Sequence, residues 1–101
     1  MPHALTAARA TVAREHEAEY LATLRHLAGR LRARGGRLWV FRHPALPDNF
    51  LEFSESAAPE RLRSQAPRDR HEAALEARLR SLAAYSEDAW VLWEEIPLEE
   101  P

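Results

Sequence analysis

Residues 35–55 hold the stretch that decides the fold: GGRLWVFRH at 35–43, PALPD at 44–48 and NFLEFSE at 49–55. Two short runs rich in aromatic and β-branched residues flank a connector that contains two prolines. Aromatic and β-branched side chains favour strands, and proline cannot donate a hydrogen bond to a ladder. The stretch therefore predicts a strand, a tight connection and a second strand.

Long helical patterns lie on both sides of this hairpin. We therefore expect a sheet that helices cover on one face, and we expect its second face to carry aromatic and titratable side chains. The side chains expected on that second face are Trp39, Phe41, His43, Phe50 and Glu52. The functional question is what this face contacts.

The first helical pattern runs from about residue 14 to residue 34, with apolar residues at spacings of three and four. Those residues are Tyr20, Leu21, Leu24, Leu27, Ala28 and Leu31. Gly35 and Gly36 then end the helix, one of them in a left-handed conformation. Asp69, with Glu72 three residues later, predicts the capped start of a second helix. A short capped helical turn is predicted at residues 56–62, before Pro67 interrupts the chain.

Two further segments complete the order of elements. Residues 4–12 fit a helix by their alanine content and a strand by their alternation. Residues 89–94 predict a final strand, and residues 96–101 predict a frayed tail. With a strand at the start the order is βαββαβ, the ferredoxin-like arrangement of an α+β fold. We expect a single domain over residues 1–101, with a four-stranded antiparallel sheet and two helices on one face.

Composition excludes several classes of function. The net charge of −2 is spread along the chain, so no basic stripe predicts nucleic-acid binding. There is no cysteine for disulfides or thiolate chemistry, and no apolar run approaches the ~20 residues that span a membrane. Without a signal-peptide pattern we expect a cytoplasmic protein. All fourteen basic residues are arginine, which fits either carboxylate recognition or the codon usage of a GC-rich genome.

Glu52 and His43 are the candidate catalytic residues. An apolar face would raise the pKa of a carboxyl group such as Glu52 and suit it to acid–base work, whereas solvent exposure or a pair with Arg9 or Arg42 would make it structural. His43 is either a proton shuttle or a surface residue beside the turn. Trp39, Phe41, Phe50 and Arg9 are the candidate substrate-binding residues, and the aromatics among them fit a dimer core equally well. No histidine pairing has metal-ligand spacing, so we expect no metal site.

The chain resembles the dimeric α+β barrel superfamily, and within it the small proteins related to antibiotic-biosynthesis monooxygenases. The resemblance rests on RATVAREHEAEYL at 9–21, LWVFR at 38–42, NFLEF at 49–53 and the leucine-bearing helix that follows. It implies a homodimer with a ligand cavity between the sheet and its surroundings, and cofactor-free oxygenation among the activities. Gln65 stands where haem-degrading members carry a histidine, and His71 lies further on, which weighs against a haem role.

These observations predict a dimeric α+β barrel protein that binds a small apolar or aromatic molecule. The first hypothesis is a cofactor-independent monooxygenase-like enzyme, in which a base deprotonates the substrate to a carbanion that reacts with oxygen. The second is a non-catalytic ligand-binding or dimerisation module, and the third is a haem-binding protein.

Overall fold

The structure, a computed structural model, describes residues 3–58, 62–63 and 69–99 of the chain. A strand and a helix come first, a two-stranded hairpin follows, and a second helix leads into two short strands. The elements are β1 (Ala4–Val12), α1 (Glu17–Ala33, after a 3₁₀ turn at Arg14–His16), β2 (Gly36–Arg42), β3 (Asn49–Ser56), α2 (Arg70–Leu82), β4 (Ala83–Tyr85) and β5 (Trp93–Glu94).

The strands form one antiparallel sheet in the order β2-β3-β1-β4. β4 pairs with the end of β1 at Ala10–Val12, and β5 pairs with its beginning at Ala4–Leu5. Two short strands thus occupy the edge of β1 that one longer strand would fill. The order confirms the predicted α+β, ferredoxin-like fold.

The first element is a strand despite its alanine content. Residues 4–12 alternate between buried and more exposed positions, and β1 has hydrogen-bonded neighbours along both edges. Tertiary pairing therefore overrides the helical propensity of alanine. The small side chains of Ala4, Ala8 and Ala10 are buried on the face that the helices cover.

The predicted final strand at 89–94 is wrong in its first part. Residues 87–90 form a turn, and only Trp93 and Glu94 are in strand conformation. The Ser86 hydroxyl donates to Asp88 Oδ1 at 2.8 Å at the start of this turn. Strand β4 was not predicted, because its Ala-Ala-Tyr has little strand propensity and forms a strand by pairing with β1.

The two faces of the hairpin also differ from the prediction. Val40 pairs with Glu52 and Trp39 pairs with Phe53, and directly paired residues share a face. Glu52 is buried on the helix-covered face, as is Phe50, whose ring lies 5.1 Å from that of Tyr20. The opposite face, called the open face below, carries Leu5, Arg9, Trp39, Phe41, Leu51 and Phe53. The error arose because strand register, which no local pattern specifies, decides which residues of two strands share a face.

The core lies between α1, α2 and the sheet. It consists of apolar side chains from both helices and the sheet: Ala10, Val12, Tyr20, Leu24, Leu27, Leu31, Phe50 and Leu79. Gly35 has a φ of +86° and ends α1 in the left-handed conformation, as predicted. Asp69 Oδ1 accepts from the Glu72 backbone N–H at 2.7 Å, which confirms the predicted cap of α2. The predicted turn at 56–62 falls in part on residues 59–61, outside the described residues, as do Gln65 and Pro67.

Candidate functional site

Glu52 lies at the centre of a buried polar network on the helix-covered face. It is fully buried, and its Oε2 accepts hydrogen bonds from the hydroxyls of Tyr20 at 2.5 Å and Tyr85 at 2.8 Å. Its Oε1 accepts from Nη1 of Arg63. Helix α1 supplies Tyr20 and strand β4 supplies Tyr85, so the carboxylate ties three elements and the Arg63 segment together.

Arg63 joins Glu52 to a second buried carboxylate. Its Nε donates to Glu76 Oε2 and its Nη2 donates to Glu76 Oε1, both at 2.8 Å, so the pair is bidentate. The guanidinium carbon lies 4.7 Å from the centroid of the Trp90 ring, a cation–π geometry. Arg63 and Glu76 are each about 1% exposed. This pairing corrects the predicted alternative, in which Arg9 or Arg42 was to be the partner of Glu52.

The network fixes the protonation of its donors. Burial, followed by the charge of Glu52, raises the pKa of Tyr20 and of Tyr85 above the ordinary tyrosine value. Burial lowers the pKa of Arg63, but the hydrogen bond to Glu76 and the charges of Glu52 and Glu76 outweigh it, and the net shift is upward. Both phenols therefore stay protonated donors and the guanidinium stays charged at neutral pH.

A separate pocket lies beside the β2–β3 connector. It has a volume of about 490 Å³, and its lining includes Arg9, Phe41, His43, Leu46, Phe50 and Leu51. Phe41 and Leu46 are each 53% exposed, so the pocket presents apolar surface to its opening. Its lining combines apolar side chains with a few polar groups, as small-molecule sites usually do.

His43 faces this pocket with a defined ring orientation. Its Nδ1 accepts hydrogen bonds from the backbone N–H groups of Ala45 at 3.0 Å and Leu46 at 3.1 Å. In the neutral imidazole the hydrogen then resides on Nε2, because Nδ1 serves as the acceptor. Neutral His43 therefore offers a hydrogen-bond donor to a ligand, and a base would have to be supplied from elsewhere.

Two arginines add positive charge to the pocket. Arg42 pairs with Glu17 at 2.5 Å and lies 5.2 Å from the Phe50 ring centroid. Arg9 forms no ion pair with any residue in the described part of the chain. Its charge is available to an anionic group in the pocket.

The structure thus divides the six predicted site residues among three places. Arg9, Phe41, His43 and Phe50 line the pocket. Trp39 lies on the open face, with the Arg37 guanidinium carbon 4.6 Å from its ring centroid. Glu52 lies in the interior network.

Sequence reasoning missed the other members of the interior network: Tyr20, Arg63, Glu76, Tyr85 and Trp90. The burial of Glu76 could have been inferred from its place in the helical pattern of α2. Glu72, Glu76 and Leu79 follow the helical period and are all buried, so two acids lie on the inward stripe of α2. A buried acid requires a partner, and this requirement pointed to an interior arginine.

Neither a metal centre nor a membrane span is found in the described part of the chain. Among residues 3–58, 62–63 and 69–99, no three acidic or histidine side chains are grouped so that they could hold a metal ion. None of the described helices is long and apolar enough to cross a membrane.

The fold resembles that of several solved structures. The cofactor-independent oxygenase SnoaB from Streptomyces nogalater is 14% identical, with 99% of this chain and 97% of that chain covered and a TM-score of 0.73. A proposed antibiotic biosynthesis monooxygenase from Nitrosomonas europaea is 10% identical, with coverages of 97% and 94% and a TM-score of 0.74. Another, from Chloroflexus aurantiacus, is 16% identical, with coverages of 100% and 97% and a TM-score of 0.69.

No protein-family model matches the chain, and no curated protein matches it in sequence. The likeness at 10–16% identity is a likeness of fold, and it extends over nearly the whole of each chain. The resemblance inferred from the sequence is confirmed at this level: the chain has the fold of the antibiotic biosynthesis monooxygenase-like proteins.

Proposed function

We propose that this protein is a homodimer that binds a small apolar or aromatic molecule and oxygenates it without a cofactor. The observation that carries the proposal is the pocket beside the β2–β3 connector. Its lining combines the apolar side chains of Phe41, Leu46 and Leu51 with polar ones. Among the polar ones are the hydrogen-bond donor His43 and Arg9, a cation without an ion pair among the described residues. The fold shared with SnoaB, a cofactor-independent oxygenase, supports the same reading.

The chemistry follows from what these groups stabilise. A substrate with an acidic C–H beside an aromatic carbonyl loses its proton to solvent and becomes a carbanion, whose charge rests largely on the carbonyl oxygen. The Nε2–H of His43 and the guanidinium of Arg9 then stabilise that oxygen by hydrogen bonding and charge. Oxygen adds to the carbanion carbon, a proton gives the hydroperoxide, and loss of water leaves a new carbonyl. The substrate supplies the electrons, so no cofactor is required.

The second candidate is a non-catalytic ligand-binding or dimerisation module. It is favoured by the state of Glu52, which accepts three hydrogen bonds from Tyr20, Tyr85 and Arg63. Both oxygens of that carboxylate accept hydrogen bonds from interior side chains, so neither is directed at a substrate in the pocket. The prediction that Glu52 is a catalytic base stays a prediction.

The experiment uses anthrone, a flat aromatic ketone with an acidic methylene group. Oxygen consumption and quinone absorbance are measured with the purified protein and with His43→Asn and Arg9→Met. The asparagine retains an acceptor for the connector amides and removes the ring N–H. We expect a loss of turnover of roughly 10²–10³-fold in His43→Asn, the usual cost of one lost donor to a developing oxyanion.

His16→Asn, at an exposed position before α1, is the matched control and should retain full turnover. Saturable binding of anthrone without oxygen consumption would favour the module. Absence of both binding and turnover over a set of flat aromatic ketones would contradict the proposal.

A further inference from the structure

In the interior network, the guanidinium group of Arg63 contacts two carboxylates, those of Glu52 and Glu76, and the ring of Trp90. We propose that Glu52, Glu76, Tyr85 and Trp90 form a guanidinium-binding site that Arg63 occupies as an intramolecular ligand. A small guanidinium compound binds there when the Arg63 side chain is withdrawn or removed.

The contacts match the shape of a guanidinium. Glu76 receives two parallel N–H bonds of 2.8 Å, Glu52 receives a third from the other terminal nitrogen, and Trp90 lies 4.7 Å from the central carbon. A planar fork makes all of these contacts together, whereas the tetrahedral ammonium group cannot form the bidentate pair. The site therefore selects for a guanidinium over an alkylammonium ion.

The buried negative charge of the network requires a cation nearby. Two buried carboxylates, Glu52 and Glu76, surround one guanidinium. Removal of one partner from a buried pair leaves an uncompensated charge in a medium of low polarity. An external cation that restores the charge is therefore bound strongly.

Three of the four residues that form the site are on regular elements, Trp90 is in the turn at 87–90, and the occupant lies in a connection. Glu52 is on β3, Glu76 on α2 and Tyr85 on β4, whereas Arg63 lies in the connection between β3 and α2. These elements pack through the core independently of the Arg63 side chain, since Leu79 of α2 and Phe50 of β3 belong to one apolar cluster. The acceptors are thus held in position for a replacement ligand.

Two further buried polar groups on the same face are the hydroxyls of Thr6 and Ser54, which could bind part of a ligand. The hydroxyls of Thr6 and Ser54 are buried, each residue is 1% exposed, and neither has a hydrogen-bond partner among the described residues. The two residues pair across β1 and β3, next to the Ala8–Glu52 pair along the face. They offer donors and acceptors to a water or to a polar substituent on a ligand in the interior.

This site is distinct from the pocket of the proposed function. None of Glu52, Glu76, Tyr85 and Trp90 is among the residues that line that pocket. Binding of a guanidinium compound at this site therefore does not depend on any oxygenase activity at the pocket.

The experiment removes Arg63 and supplies the missing fragment. Arg63→Ala deletes the atoms of an ethylguanidinium ion, so that compound is the probe. Thermal unfolding of the full chain is followed at millimolar ethylguanidinium, with ethylurea as the neutral analogue and butylammonium as the non-planar cation. We expect a saturable rise in the Tm of Arg63→Ala, with an apparent affinity at least tenfold higher for ethylguanidinium than for either comparator.

Wild type should show no saturable rise, because tethered Arg63 competes at a high effective concentration. Arg78→Ala is the matched surface control, because it removes the partner of the exposed Glu19. Its Tm should also show no saturable rise with ethylguanidinium. Arg63→Ala/Glu76→Gln should bind ethylguanidinium at least tenfold more weakly than Arg63→Ala.

If Arg63→Ala does not fold alone, refolding measured by circular dichroism replaces the thermal assay. Recovery of structure with ethylguanidinium, and not with ethylurea or butylammonium, supports the site. Equal effects of the three compounds, or no effect of any of them on either assay, overturns it.

Discussion

Tyr20 on α1 and Glu52 on β3 are joined by a buried hydrogen bond of 2.5 Å, in which the phenol donates to Oε2 of the carboxylate. The same helix and strand also meet through the Tyr20 and Phe50 rings, 5.1 Å apart. One side chain therefore provides both the apolar contact and the polar connection between the first helix and the sheet. The polar part requires a defined helix position, since a shift of either element would leave a buried carboxylate unsatisfied.

Replacement of Glu52 by glutamine separates a structural role from a catalytic one. The geometry leads us to expect a large loss of stability, of about 3–5 kcal/mol, because Arg63 would lose one of its two buried carboxylate partners. Urea unfolding measures the change. Glu55→Gln is the matched control: Glu55 is the next acid along β3, on the other face, and contacts His3 at 3.3 Å near the surface. For Glu55→Gln we expect a loss of stability of less than about 1 kcal/mol. Unchanged stability with lost turnover in Glu52→Gln would restore the catalytic assignment.

Dimerisation through the open face is the second prediction. Phe41 and Trp93 are 53% and 57% exposed, and the Phe41 ring meets Phe53 edge-on at 5.7 Å. Both rings lie on the open face, since Trp93 pairs with Leu5, and extensive exposed apolar surface marks a site of protein–protein association. Sedimentation at micromolar concentration should give twice the chain mass of 11.5 kDa.

A charge on the open face should disrupt that dimer. Phe41→Arg is expected to sediment as a monomer, because an arginine there would be buried without a partner at the interface. Val40→Arg is the control, since Val40 is also partly exposed but points to the other face of the same strand. A wild-type monomer, or equal effects of the two arginines, would mean that copies do not associate through this face.

Two glycines should respond to alanine in opposite directions. Gly35 has a φ of +86°, so Gly35→Ala should lose roughly 1–2 kcal/mol of stability. Gly29 lies inside α1, and no atom is within 4 Å of the position that an alanine Cβ would occupy there, so Gly29→Ala should gain roughly 0.5–1 kcal/mol. Urea unfolding of both variants tests the pair. A loss of stability in Gly29→Ala would show that this helix face is covered in solution.

The cap of α2 should contribute stability that depends on pH. The Glu72 backbone N–H, and then Arg30, lower the pKa of Asp69 below its ordinary value. A group with a lowered folded-state pKa stabilises the fold above the ordinary aspartate pKa of about 3.9, and that contribution is lost as the pH falls through the folded-state value.

Asp69→Asn retains the cap and removes the charge. We expect it to be less stable than wild type at pH 7, with the difference disappearing under acid conditions. Denaturation curves of Asp69→Asn and of wild type, recorded at a series of pH values from 7 into the acid range, measure this difference in stability. A difference that persists at the acid end would assign it to something other than the Asp69 charge.

The sequence by itself determined the elements that depend on local chemistry. The period of three and four in α1, a left-handed glycine at position 35 or 36, the Asp69 cap and the Pro-containing connector were all predicted, and from them the α+β class followed. The sequence also singled out Phe41, His43 and Phe50, which flank the turn, and Arg9, and the structure places all four along the pocket. That they bind a substrate or act on it stays a prediction.

Tertiary structure alone decided the faces of the hairpin and the partner of Glu52, and tertiary pairing is the reason that the expected first strand forms where local propensity favours a helix. Alanine-rich β1 is a strand because it has neighbours on both edges. Glu52 lies inside because its register with Val40 places it under α1. Arg63 became its partner through a connection that no periodic pattern marks. Local propensity acts over a few neighbouring residues, whereas register and burial depend on contacts between residues far apart in the chain.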